Sequence, residues 1–150
     1  MTAETDTDDD WDYPPGVGPH EGCELDLMLG GEKPLAMFSG AADTEYEFPD
    51  AQFAPHVRSG RIVQREYRYP LVIRGATRPM RELYYALPGE EWRVFAMRAL
   101  YARTKGKGRT DADTHEIGRL LGYSEVEVQA YLDHCDMVVE KFRRCGAARR

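Results

Sequence analysis

Around residues 88–91 (PGEE) the hydrophobic rhythm of this chain changes from alternation to helical spacing, and that change limits what it can fold into. Upstream, in residues 61–69 (RIVQREYRY), Val63, Arg65, Tyr67 and Tyr69 share one parity and Ile62, Gln64, Glu66 and Arg68 the other. This is the pattern of a half-exposed strand. Leu71, Val72 and Ile73 continue it past a bend at Pro70, residues 75–79 read as a turn, and residues 81–87 (RELYYAL) return with Leu83, Tyr85 and Leu87 on one face. Residues 61–87 therefore read as an antiparallel hairpin or a three-stranded meander. Downstream, a proline near the first helical position and acids in the first turn open a helix over about 89–104. Trp92, Phe95, Ala96, Ala99 and Leu100 form its stripe, widened by Val94, Met97 and Tyr101, so it reads as central to the core. Two more helices follow, at about 114–121 and 125–142. Strands first and helices last predict an α+β fold.

The last two helices carry the most specific signals. Asp113-x-x-Glu116 and Ser124-x-x-Glu127 both read as capping boxes, and Gly122 stands where the first helix needs a left-handed residue to end. Residues 114–133 resemble a helix-turn-helix DNA reader. The resemblance implies Gly118 as the small residue that lets the second helix approach, Gly122 as the turn, and Ile117, Leu121, Val128 and Tyr131 as the inner apolar set. It also implies a second helix that enters the major groove. The charges oppose that role. The face presented would carry Glu125, Gln129, Ala130 and Asp133, then Asp136 and Glu140, and no Lys or Arg stands between Arg119 and Lys141. Only Gln129 is a familiar base reader. Phosphate contacts, the main source of affinity, would have to come from the flanks, from Arg103, Lys105, Lys107 and Arg109 and from Arg143 and Arg144 with Arg149 and Arg150. A purely structural helix corner is the competing reading.

The other segments are plainer. Residues 1–22 read as an acidic tail in which Trp11 and Tyr13 sit among aspartates, suited to a basic surface on a partner or on the same molecule. Residues 23–145 then form one α+β domain, with a short basic tail at 146–150. Within the domain, residues 24–29 and 51–58 read as one or two helical turns each, 35–38 as a buried strand, and 39–50 as an acidic loop. Residues 1–57 carry a net charge of −13 and residues 58–150 a net of +7. That asymmetry suits charged partners or self-association. No apolar run approaches a membrane span, the N-terminus lacks a signal pattern, and the odd set Cys23, Cys135 and Cys145 reads as reduced thiols. A cytoplasmic protein is expected.

Catalytic and metal chemistry finds little footing. The four histidines and three cysteines show no CxxC, HxxxH or HExxH spacing, and neither His20-x-x-Cys23 nor His134-Cys135 makes a metal site. Asp43, Glu45, Glu47 and Asp50 lack the spacing of a calcium loop, and Gly30-Gly-Glu-Lys33 is not a phosphate loop. Glu116, Glu90 and Glu91 are accounted for as helix-start residues, which leaves His115 without a carboxylate. No cofactor is expected. Arg61, Arg65, Arg68 and Arg81 interleave with Tyr67, Tyr69, Tyr84 and Tyr85, a pairing suited to single-stranded nucleic acid, but Tyr67, Tyr69 and Tyr85 share parity with the apolar face and so read as core. Residues 25–38, 84–93 and 115–123 resemble segments of small bacterial proteins, a resemblance that implies no activity. The expectation is a small non-catalytic domain acting through protein contacts, with a second copy of itself among the possible partners. The alternatives are a DNA-binding regulator using residues 114–133, and an enzyme whose site is assembled from the sheet and the 89–104 helix.

Overall fold

The computed structural model describes residues 20–43 and 47–148, without the side chains of residues 142 and 145–148. Most of the acidic tail, Glu45, Arg149 and Arg150 lie outside the described residues. The elements run α1 (Glu24–Leu29), β1 (Leu35–Ala41), α2 (Asp50–Arg58), β2 (Val63–Ile73), β3 (Ala76–Ala86), α3 (Trp92–Thr104), α4 (Asp111–Leu121) and α5 (Glu125–Ala148). The fold is α+β, built on a three-stranded antiparallel sheet of order β1-β3-β2. Residues 61–87 are a hairpin, and its third neighbour is β1 rather than another segment of a meander.

β3 is the central strand, and Leu83, Tyr84, Tyr85 and Ala86 are all fully buried. Four consecutive buried residues require cover on both faces, because successive side chains point to opposite sides. On one face Leu83 and Tyr85 pack with Ala36, Met28 of α1, Phe53 of α2 and Ile62. On the other, Tyr84 and Ala86 pack with Leu35, Val94 and Met97 of α3 and Leu120 of α4. The chain is thus three layers, with the short early helices on one side of the sheet and the late helices on the other. The register corrects one expectation. Tyr67 lies opposite Glu82, on the Tyr84 face, so Tyr67 and Tyr85 are on different faces rather than sharing one. Tyr85 is core, stacked on Phe53 at 3.9 Å. Tyr67 is half-buried and Tyr69 is exposed.

The hairpin turn is Arg74-Gly75, at φ 50° and 80°, rather than residues 75–79. Two central residues at positive φ match the twist of the flanking strands. Pro70 faces Pro79 across the ladder, where two residues without an N–H can stand only at a pair that exchanges no bonds. The last β1–β3 pair is Ala41 with Met80, so Pro79 lies just beyond β1's cover.

α3 is rotated from its expected phase. Val94, Met97, Leu100 and Thr104 are buried, whereas Trp92 and Phe95 are 53% and 60% exposed. The helix is apolar most of the way round, so its pattern could not select one face. Trp92 is held outward by its own surroundings: its Nε1 donates to Glu90 Oε2 at 3.2 Å, and the Arg93 guanidinium lies over its ring.

α4 begins a turn earlier than expected. Its N-cap is Thr110, whose hydroxyl accepts from the Asp113 N–H while the Asp113 carboxylate accepts from the Thr110 N–H. Asp113 is therefore the third helical residue of a capping box, not the N-cap. The second box is as expected, with Ser124 and Glu127 exchanging bonds of 3.1 Å. Gly122 ends α4 at φ 93°, and a Cβ there would stand 2.8 Å from Pro34 Cδ. At Gly118 a Cβ would stand 2.3 Å from Val128 Cγ2, so α4 and α5 approach more closely than alanine permits.

Two stability predictions follow from this packing. Gly118→Ala should destabilise the fold by about 1–3 kcal/mol in urea unfolding, the cost of overpacking a tight contact. Adding Val128→Ala should recover part of that loss, and no recovery would mean the strain lies elsewhere. The Tyr85 hydroxyl is buried and has no hydrogen-bond partner among the described residues. Tyr85→Phe should therefore be neutral or stabilising by up to about 1 kcal/mol; a loss larger than that would show that the hydroxyl has a partner.

Candidate functional site

A cleft of about 660 Å³ lies where α3 ends over the sheet, on the Tyr84 face. α3 stops at Thr104, and the loop Lys105-Gly-Lys-Gly-Arg109 closes one wall. Gly106 and Gly108 both take positive φ, which lets the loop fold back tightly while its cations alternate with glycine. Lys105, Arg109 and Arg98 line the cleft, with Tyr69 and Tyr101 as its aromatic surfaces and Met37 and Leu71 as apolar floor. The Arg109 guanidinium lies 4.3 Å from the centre of the Tyr101 ring, and Arg98 lies 3.5 Å from that of Tyr67. Glu82 is the one carboxylate among the described residues of the lining, and it is already engaged. It accepts from the Tyr84 hydroxyl and pairs with Arg98 at 3.4 Å. Burial, with that bond second, pushes the Tyr84 phenol well above its ordinary pKa, so it stays a donor. The cleft thus offers cations beside flat aromatic faces, with the hydroxyls of Ser39 and Thr104 also on its lining and that of Thr104 donating to Leu100 O.

A second concentration of polar groups sits at the other end of α4. Lys33 is only 3% exposed, and its Nζ donates to Leu121 O at 2.6 Å and lies 2.8 Å from His20 Nδ1. The His20 ring stacks on Tyr123 at 3.8 Å, and its backbone N–H donates to the Tyr123 hydroxyl. Burial lowers the Lys33 amine to about 8, and burial followed by the neighbouring Lys33 charge lowers the His20 imidazole. Lys33 is spent on capping α4. Beside this cluster a mostly apolar cavity of about 260 Å³, lined by Ile117, Leu121, Val128 and Tyr131, lies between α4 and α5 next to their close contact at Gly118.

The residues expected from sequence to meet nucleic acid are divided by the fold. Lys105 and Arg109 reach the cleft, and Lys107 is exposed on the same loop. Arg103 is exposed one turn earlier but pairs with Asp113 and Glu116. Gln129 is tied down, its Oε1 3.1 Å from His115 Nε2 and its amide donating to Asp133. Arg143 and Arg144 are exposed near the far end of α5, about 21 Å along the helix from Gln129, and Arg144 pairs with Glu140.

The strand arginines do not form one face either. Arg81 is enclosed by Asp50 and Glu66, and Arg68 also pairs with Glu66. Arg98, Tyr101 and Glu82 were missed as site residues because they are brought together only by packing α3 on the sheet. Among the described residues no three His, Cys, Asp or Glu stand together to hold a metal ion, and no helix is long and apolar enough to cross a membrane. Comparison with protein-family models, with curated proteins and with solved structures gives no match.

The lowered Lys33 amine makes stability depend on pH. Below about pH 8 the amine is protonated in both states and its burial cost is fully present. Between there and 10.5 the unfolded chain holds a proton that the folded chain has released, so stability climbs with pH. The urea midpoint should rise from about pH 7.5 to 9.5, and Lys33→Met should flatten that rise. An unchanged slope in the variant would show that the amine is not desolvated.

Proposed function

We propose that this protein is a non-catalytic binding domain whose cleft accepts an acidic, aromatic-bearing segment of a protein partner. The observation that carries the reading is the convergence of Lys105 and Arg109 with Tyr69 and Tyr101 around one concavity in which Glu82, the one carboxylate among the described lining residues, is already paired with Arg98 and bonded by Tyr84. The Arg109 guanidinium, already lying on the Tyr101 ring, keeps both its charge and its N–H edges for an incoming carboxylate. The ring faces left open suit an aromatic side chain.

The surroundings favour a peptide over a nucleic-acid strand. Asp111, Asp113 and Glu116 begin the helix beside the basic loop, and the outer face of α5 carries Glu125, Asp133 and Asp136. A polyphosphate running along α4 and α5 would meet these acids and gain no counterion release there. A peptide needs only a few acidic residues in register with the cleft and can place neutral ones elsewhere.

A fluorescent peptide of sequence Asp-Asp-Asp-Trp-Asp-Tyr should bind with a Kd on the order of 0.1 mM at low salt to the full chain in which the identical sequence at residues 8–13 is neutralised (Asp8, Asp9, Asp10 and Asp12 to Asn, Trp11 to Ala). In that chain affinity should fall at least fivefold with Arg109→Ala or Lys105→Ala and should weaken as salt rises. Binding that ignores both substitutions, or no binding, would overturn the proposal. Tighter binding of single-stranded or duplex nucleic acid of similar length would replace the peptide with that ligand.

A further inference from the structure

We infer that the chain carries its own ligand for the cleft: the segment of residues 8–13, Asp-Asp-Asp-Trp-Asp-Tyr, docks there in competition with the external partner. The inference rests on the peptide-binding reading above. Three observations carry it. First, the composition matches. Four aspartates and two aromatics in six residues complement a cleft of two tyrosines and two cations, Lys105 and Arg109, beyond the Arg98–Glu82 pair. Second, the leash is anchored. His20 is held by a ring stack and a backbone bond to Tyr123, and Lys33 lies against its ring, so residues 1–19 begin from a defined point on the molecule. Third, the reach suffices. His20 sits at the C-terminal end of α4, and Arg109 immediately precedes its N-cap Thr110. The eleven residues of α4 span about 16 Å. The seven residues from Tyr13 to His20 reach up to about 24 Å when extended.

The effect of such tethering can be estimated. A segment on a short leash experiences an effective concentration on the order of 1 mM. Against a Kd on the order of 0.1 mM, the cleft is occupied by its own chain about nine times in ten, and an external peptide binds about tenfold more weakly than to an empty cleft. Occupation by the segment is thus strong enough to gate weak partners and weak enough to yield to a better one.

The experiment uses the full chain. One variant neutralises the segment, with Asp8, Asp9, Asp10 and Asp12 replaced by Asn and Trp11 by Ala. It should bind the acidic peptide about tenfold more tightly than the unaltered chain. Equal affinity of the two would overturn the inference and leave the binding function standing. Failure of the neutralised chain to bind at all would overturn both.

A second measurement reads the docked segment directly. The chain has two tryptophans, so Trp92→Phe leaves Trp11 as the sole reporter, and Trp92 is exposed and remote from the lining of the cleft. Trp11 should be at least twofold less accessible to acrylamide at low salt than in the same chain carrying Arg109→Ala and Lys105→Ala. Equal quenching in the two would overturn the docking.

Discussion

The carboxyl end of α4 is the joint on which the late half of the molecule depends. A helix leaves its last four carbonyls without partners, and at a buried end each must be met from elsewhere. Here they are. Gly118 O accepts from Tyr123 N at 2.8 Å, and Arg119 O accepts from Gly122 N and from Arg93 Nη1. Leu120 O accepts from Arg93 Nη1 and Leu121 O from Lys33 Nζ. Two of these donors are the turn itself; the other two are cations from separate parts of the chain, one just before β1 and one in the first turn of α3. Positive charge at a helix C-terminus is favourable in its own right. One helix end therefore ties the sheet, α3 and the α4–α5 turn together, and the His20 stack adds the start of the described chain to the same point.

This joint meets the demand set by β3. A sheet of three strands has little area of its own, yet its central strand is buried on both sides at Leu83 through Ala86. Cover on the Tyr84 face comes from α3 and α4, which follow the hairpin in sequence and must fold back over it. Cover on the Tyr85 face comes from α1 and α2, which flank β1. Where helical cover stops, β3 becomes polar: Arg81 is closed in by Asp50 and Glu66 on one face, and Glu82 by Tyr84 and Arg98 on the other. These pairs mark the edge of the core rather than its centre.

Much of the local structure was legible from sequence, and the errors have specific causes. Element types, the hairpin, Gly122 and the Ser124–Glu127 box all rest on short-range chemistry, and the structure shows them. The start of α4 was misplaced because Thr110 and Asp113 can each cap a helix; Thr110 takes the role when Asp113 can return its bond. The phase of α3 was misjudged because apolar residues occupy nearly all its sides and only the sheet decides which are covered. Alternation was counted along β2 and β3 separately, so the relative parity of Tyr67 and Tyr85 was set by a turn position that the strands themselves do not reveal. For the site, Lys105 and Arg109 stood out as a basic loop. Arg98, Glu82 and Tyr101 gave no signal, since the cleft exists only once a helix and a sheet from distant segments meet.

The same geometry bears on why the helix pair is a poor guide to function. Every feature that makes residues 114–133 resemble a DNA reader has a structural task in the fold. Gly118 admits Val128, Gly122 lets α4 end against Pro34, and the capping boxes start two helices whose inner faces are packed. The corner's outward face carries acids, and the apolar cavity it leaves between α4 and α5 is on the inner side, away from any groove a reading helix would enter. The cleft is the opposite case. Its loop cations lie just past the end of α3, where the core has run out and where the exposed side chains of Lys105, Lys107 and Arg109 fill no buried space. Residues that the fold does not need, gathered at one surface with one sign of charge, are better candidates for binding than residues whose pattern the fold already accounts for.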